Sequence, residues 1–259
     1  MIRHSFAMVA AVFLSVVLSL QASDAAAKKP ITICGTPWGK LGGENLPGQG
    51  FVPDIVMRVF RHAGYEIKTE LVPWPRCVEH AKKQKYDLIA SAWQGPNFAP
   101  HFDYLNVILH DTINFITLED AALKSGSMTS FHGKKVGLVR EAGGLEALFN
   151  DQPKIAVHRV AKLKSLPKML AHGRIDAIVT DPVSLNEFVK KMDPPFGHKL
   201  VAQQPPLKIN FNSPMIAKGH PDKSQIMADF DRAYKDLKGK GLYQNLIKIH
   251  DLQVQYPKK

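Results

Sequence analysis

The sequence predicts an α/β protein of two lobes, and three observations lead there. Short β-like runs alternate with helix-like runs along most of the chain, a pattern that implies βαβ units and mainly parallel sheets. A strand, a helix and then KYDLIAS (85–91) recur downstream as a strand, a helix and then GRIDAIVT (173–180), each time with an Asp ahead of the β run. An echo of such long period points to two copies of one architecture rather than to a solenoid. Finally, 259 residues that are 45% hydrophobic and 22% charged suffice for one large domain or two small lobes, and the echo favours the second.

The elements follow from periodicity and breakers. ITIC (31–34) is β-like, and Phe51 to Ala63 carries Ile55, Val56, Val59 and Phe60 at helical spacing before Gly64. EIKTELV (66–72) alternates as a strand, 75–84 reads as helix, and DLIAS (87–91) as strand. KKVGLV (134–139) is β, GLEALF (144–149) helical, IAVHRV (155–160) alternating, 162–172 helical and DAIVT (176–180) β. After the extended, turn-rich stretch 208–221, a helix with Ile226, Phe230, Ala233 and Leu237 on one face ends at Gly239 and Gly241, and LYQNLIKI (242–249) forms the last helical run.

The N-terminus reads as a secretory signal peptide. Arg3 and His4 precede an apolar run from Phe6 to Leu20 and a small-residue exit at Ala25-Ala26-Ala27. That order matches a leader cleaved near Ala27, and a run of about 15 residues is short of the ~20 a spanning helix needs. Residues 1–27 are therefore assigned to the leader and the mature protein to the periplasm. The net charge of +11 comes from Lys and Arg spread along the chain, a solvated basic surface rather than a nucleic-acid footprint. Two cysteines in an exported chain invite a disulfide. Cys34 ends a strand-like run and Cys77 opens a helix-like one, so they meet if both lie at the same end of one sheet; two separate buried thiols are the alternative. The 11 histidines form no HxxxH or HExxH pattern, and no Walker loop, dinucleotide fingerprint or GxSxG is present. No metal and no cofactor are expected.

Five stretches in order carry a resemblance: GFVPDIVMRVFRHAGY, VPWPRCVEHAKKQKYDLIAS, HGKKVGLV followed by Gly143-Gly144, GRIDAIVTD, and MADFDRAYKDLKGKGLYQNLIKI. Together they resemble the family 3 extracellular solute-binding proteins, periplasmic receptors of polar amino acid ABC importers, over essentially the whole mature chain. The resemblance implies a periplasmic binding protein type II fold, with two α/β lobes joined by two crossing strands near 113–117 and 207–211. Lobe one would comprise 28–113 plus 212–259 and lobe two 114–211, with the ligand in the cleft and closure about the hinge.

The same resemblance nominates pocket residues. Trp38 and Trp74, each just after a strand, stand where the family sandwiches its ligand between aromatic rings; either could instead pack in the core. Ser91 matches a ligand-contacting serine, or is a strand-end cap, and Trp93 falls where family members have a smaller residue and so narrows the pocket. Asp181 stands where the family's Asp takes the ligand ammonium; read from its own neighbours, it is also a good helix N-cap before Pro182. Gly143 and Gly144 offer free backbone N–H groups to an anionic group. Arg140 is the nearby cation, with Arg76 as second choice. The family's carboxylate-binding Arg corresponds to Ala99 here, between Phe98 and Pro100, so ordinary α-amino acid binding is placed in doubt.

The function so implied is capture of a small polar, cationic or aromatic solute for an ABC permease, by a monomer without enzymatic chemistry and without nucleic acid. A soluble sensor presenting ligand to a membrane receptor or kinase is the alternative. A periplasmic dehydratase of prephenate or arogenate type is a third reading, for which Asp181 and Glu141 are the only acids in place.

Overall fold

The computed structural model describes residues 28–140 and 145–252, so the leader assigned to 1–27 lies outside them. Among the described residues no helix is long and apolar enough to cross a membrane.

The first lobe is built on β1 (Ile31–Gly35), β2 (Ile67–Leu71) and β3 (Leu88–Trp93), with β1 pairing parallel to both others. Helix α1 (Phe51–His62) links β1 to β2 and α2 (Trp74–Lys82) links β2 to β3. The second lobe repeats the plan with β6 (Lys135–Val139) between β7 (Ala156–Val160) and β8 (Ala177–Thr180), all parallel, and α3 (Ser165–Ala171) crossing from β7 to β8. Each lobe has apolar clusters on both faces of its sheet, which is why the inner strands β3, β6 and β8 read as apolar runs, while the outer strands β2 and β7 alternate. Fully buried Phe51, Phe60, Phe115, Phe131 and Phe230 contribute roughly 1.5–3 kcal/mol each by leaving water.

Two long antiparallel strands join the lobes: β5 (Leu109–Leu118) and β10 (Lys208–Ala217). They pair with each other over 109–113 and 208–212. β5 then continues into the second lobe against β8 and β9 (Leu200–Ala202). β10 continues into the first lobe against β3 and β4 (Phe102–Tyr104). α5 (Lys223–Gly239) and α6 (Leu242–His250) return to the first lobe, adding Ile226, Phe230, Tyr234 and Leu246 to its core.

The disulfide forms as anticipated. Cys34 at the end of β1 and Cys77 on α2 are bonded, with Cα atoms 5.7 Å apart, closing a separation of 43 residues. One element differs from its sequence reading. GLEALF, expected as a helical run over 144–149, is a single 3-10 turn at Leu145–Phe149; five residues hold Leu145 and Phe149 in the core but are too few for an α-helical ladder.

Candidate functional site

The polar groups gather where the parallel strands end, as expected for open α/β sheets. Trp38 follows β1, Trp93 ends β3 and Asp181 follows β8. Trp38 is set by a tight loop: its N–H donates to Gly42 O at 2.7 Å, its carbonyl accepts from Leu41 N at 3.0 Å, and Gly43 N donates to Gln49 O at 2.8 Å. The loop closes through Gly50, whose φ of 102° and 2.7 Å clearance from a Cβ position to Gly42 Cα leave no room for a side chain; only glycine takes such a conformation readily.

Asp181 is the helix N-cap that its sequence neighbours suggest, and its second oxygen turns to the first lobe. Its Oδ1 accepts from Ser184 N at 2.7 Å, capping α4 (Pro182–Val189), whose first residue is the proline. Its Oδ2 accepts from Trp38 Nε1 of the first lobe at 3.3 Å. The carboxylate is only 3% exposed, and burial raises its pKa against the hydrogen bonds from Ser184 and Trp38.

A second carboxylate, absent from the sequence reading, lies close by. Asp111 on β5 is buried and accepts from Trp93 Nε1 at 3.1 Å, from Asn210 Nδ2 at 3.4 Å and from Asn212 Nδ2. Burial, reinforced by the charge of Asp181, pushes Asp111 up to about 7. Among the described residues, every hydrogen bond to these two carboxylates comes from a neutral donor. Trp38 and Trp93 meet edge to face between them, with centroids 6.2 Å apart. The sequence did hold a signal: Leu109, Asp111, Ile113 and Phe115 share the buried face of one strand, and so do Asn210 and Asn212 on β10, while Ile209 and Phe211 point outward, 51% and 45% exposed. A polar residue on a buried strand face is costly unless paired.

The remaining nominated residues are placed as follows. Ser91 is half-buried on β3 and donates to Asn212 Oδ1 at 3.3 Å, one step from Asp111. Trp74 is half-buried at the start of α2, and its ring partner is Phe98, 5.7 Å away. Phe98 also packs on Phe102 beside exposed Ala99, so an aromatic cluster occupies the turn where the resemblance would have put an arginine. Arg140, at the end of β6, and Arg76, on α2, are both exposed. Gly143 and Gly144, and the alternative acid Glu141, lie outside the described residues.

The lobes touch beside this site. Lys40 Nζ of the first lobe lies 3.7 Å from Glu187 of α4, and Val183 packs on the first lobe's core. A groove of about 730 Å³ lies elsewhere, between α3 and α4, lined by Lys164, Lys168, His172, Arg174 and Lys191. All five are exposed, and none belongs to the cleft, so the groove is not taken as the site.

No family model and no curated protein matches the chain. Solved structures do. The ligand-binding core of GluR0 from Nostoc punctiforme, in complex with L-glutamate, superposes with TM-score 0.68 at 19% identity, over 85% of this chain and 98% of that one. The Bacillus subtilis protein ytmK, assigned as the extracellular binding protein of an amino-acid ABC transporter, gives 0.72 at 15% identity, over 85% and 96%. The VFT2 domain of Bordetella pertussis BvgS, as a double mutant, gives 0.66 at 14% identity, over 85% and 91%. This chain has the two-lobed type II binding-protein fold. At these identities the likeness extends to the fold and not to the ligand.

Proposed function

We propose that this protein is a periplasmic solute-binding protein, which captures a small organic cation between its lobes by hinge closure and passes it to an ABC permease in the inner membrane. Residues 1–27 would be removed on export, leaving lobe one at 28–113 plus 212–259 and lobe two at 114–211. The observation that carries the reading is Asp181: a buried carboxylate at the mouth of the second lobe, facing the first lobe's Trp38 across the cleft. A buried carboxylate and an aromatic face are complementary to an ammonium or guanidinium group. Trp74, Ser91 and Trp93 would complete the first-lobe wall, and Gly143, Gly144 and Arg140 the edge of the second. The aromatic cluster around Phe98, in place of an arginine clamp, argues for a ligand without an α-carboxylate at that position. The reaction is binding and release, with the ligand unchanged.

Thermal shift against amines, guanidines, amino acids and organic acids tests this. A cation at 100 times its Kd adds about 2.7 kcal/mol of stability, and Asp181→Ala is expected to abolish the shift. Stabilisation by acids alone, or an unaffected Asp181→Ala variant, contradicts the reading. A soluble sensor presenting its ligand to a membrane receptor or kinase is the second reading; a ligand that binds but is not taken up by cells would select it.

A further inference from the structure

Asp111 has no role in the function just proposed, yet it is the more unusual of the two carboxylates. It sits on the hinge strand, 6% exposed, and no described residue brings a cation to it. Two buried negative groups near each other are poorly matched by a ligand with one positive charge, because the second carboxylate stays uncompensated. The neutral surroundings point the same way. Asn210 turns its amide N–H to Asp111, and its own Oδ1 is buried without a partner. Ser184 Oγ is likewise buried without a hydrogen bond, although its side chain is close enough to Asp181 to favour the charged form. Asp111 thus has beside it an unfilled acceptor and Asp181 an unpartnered hydroxyl, and buried polar groups left empty are costly. What is missing at both ends is a charged N–H donor. Between the ends lie the indoles of Trp38 and Trp93 in contact with each other, an apolar stretch suited to methylene groups.

Resting on the capture function above, we propose that Asp111 is a second recognition residue and that Asp111 and Asp181 together select an organic cation with two positive centres joined by a short apolar chain, the α,ω-diamine class. One ammonium is held by Asp181 with Ser184, the other by Asp111 with Asn210. The bond from Trp38 to Asp181, long at 3.3 Å, is one that a charged donor readily replaces. Trp93 keeps Asp111 in place from the first lobe, so ligand binding ties the hinge to both lobes at once.

The test titrates the wild-type mature protein with diamines from ethane- to hexanediamine, each against the n-alkylamine of equal length, by calorimetry at low salt. At least one diamine is expected to bind at least about tenfold more tightly than its monoamine, a difference of one well-made charged contact. Asp111→Asn is expected to remove that advantage while leaving monoamine binding in place. The wild-type comparison needs no variant, so it stands even if a substitution impairs folding. Equal affinity for diamines and monoamines, or an advantage that survives in Asp111→Asn, overturns the diamine site and leaves single-cation capture standing. If no amine of either class binds the wild type, the diamine site falls together with the cationic reading.

Discussion

The protein buries carboxylates in two ways, and the contrast between them separates framework from site. Asp229 on α5 is fully buried in the first lobe and surrounded by positive charge. Lys28 Nζ donates to it at 2.5 Å, Arg232 pairs with it, and Tyr65 and Gln225 donate at 2.7 and 2.9 Å. Burial opposes its charge, but these bonds and the charge of Lys28 prevail and hold its pKa well below the usual carboxylate range. Asp111 and Asp181 are buried almost as completely and have only neutral donors, and both pKa values move up. One carboxylate is complete within the chain. The other two are stable as neutral acids or in the company of a cation that the described residues do not supply. Stability given up at a binding site is the common pattern.

Three substitutions sharpen the comparison, in order of decreasing effect. Asp229→Asn breaks a completed cluster and leaves Lys28 and Arg232 without their anion. The loss expected is about 3 kcal/mol, the low end for breaking a buried pair because both cations can turn to solvent; urea denaturation at neutral pH checks it. Because the pKa of Asp229 is depressed, its contribution is present above the ordinary carboxylate value and fades only as pH falls below it.

Asp111→Asn is expected to do the opposite. The Asp111 carboxyl titrates near 3.8 when unfolded and at about 7 when folded. Between those values the native state holds a proton that the unfolded chain has lost, so stability declines as pH rises from about 4 to about 7 and is level above that. The asparagine variant lacks this decline and is expected to be more stable than wild type at pH 8, with little difference near pH 4. The groups around Asp111 that bear on this titration are Asp181 from the second lobe, Trp93 from β3, and Asn210 and Asn212 from β10. A wild-type melting profile with no such slope, or a variant less stable at pH 8, would show that Asp111 is already satisfied.

Lys40→Met removes the ion pair with Glu187 across the lobes. Lys190 still lies 2.8 Å from that glutamate and keeps it paired, so the expected change is under about 1 kcal/mol in stability and no more than a few-fold in ligand affinity. A larger loss of affinity would mean that closure depends on this pair and not on the carboxylates.

The framework was more legible in the sequence than the site, for a physical reason. Alternating β and helical runs, and the echo between KYDLIAS and GRIDAIVT, followed from which faces must be buried, and the Cys34–Cys77 bridge followed from where β1 and α2 place their ends. Trp38, Trp93 and Asp181 were nominated by the resemblance, at or just beyond the carboxyl ends of strands. Asp111 was missed because it lies inside a strand, before the stretch identified as the crossing, and its pairing with Asn210 and Asn212 depends on the register of β5 against β10. That register joins residues about a hundred positions apart, and no local pattern encodes it. β4 and β9, three residues each, were missed for lack of length, and GLEALF was overextended because five residues cannot distinguish a 3-10 turn from a helix.

The most direct measurement is a carboxyl 13C NMR titration of the ligand-free protein, with Asp111, Asp181 and Asp229 assigned through their asparagine variants. The expected result is a split: Asp229 titrating below the ordinary aspartate range, and the Asp111–Asp181 pair above it, with an apparent value for Asp111 of about 7. All three titrating at or below the ordinary aspartate range would contradict the view that the cleft holds two carboxylates waiting for a cation.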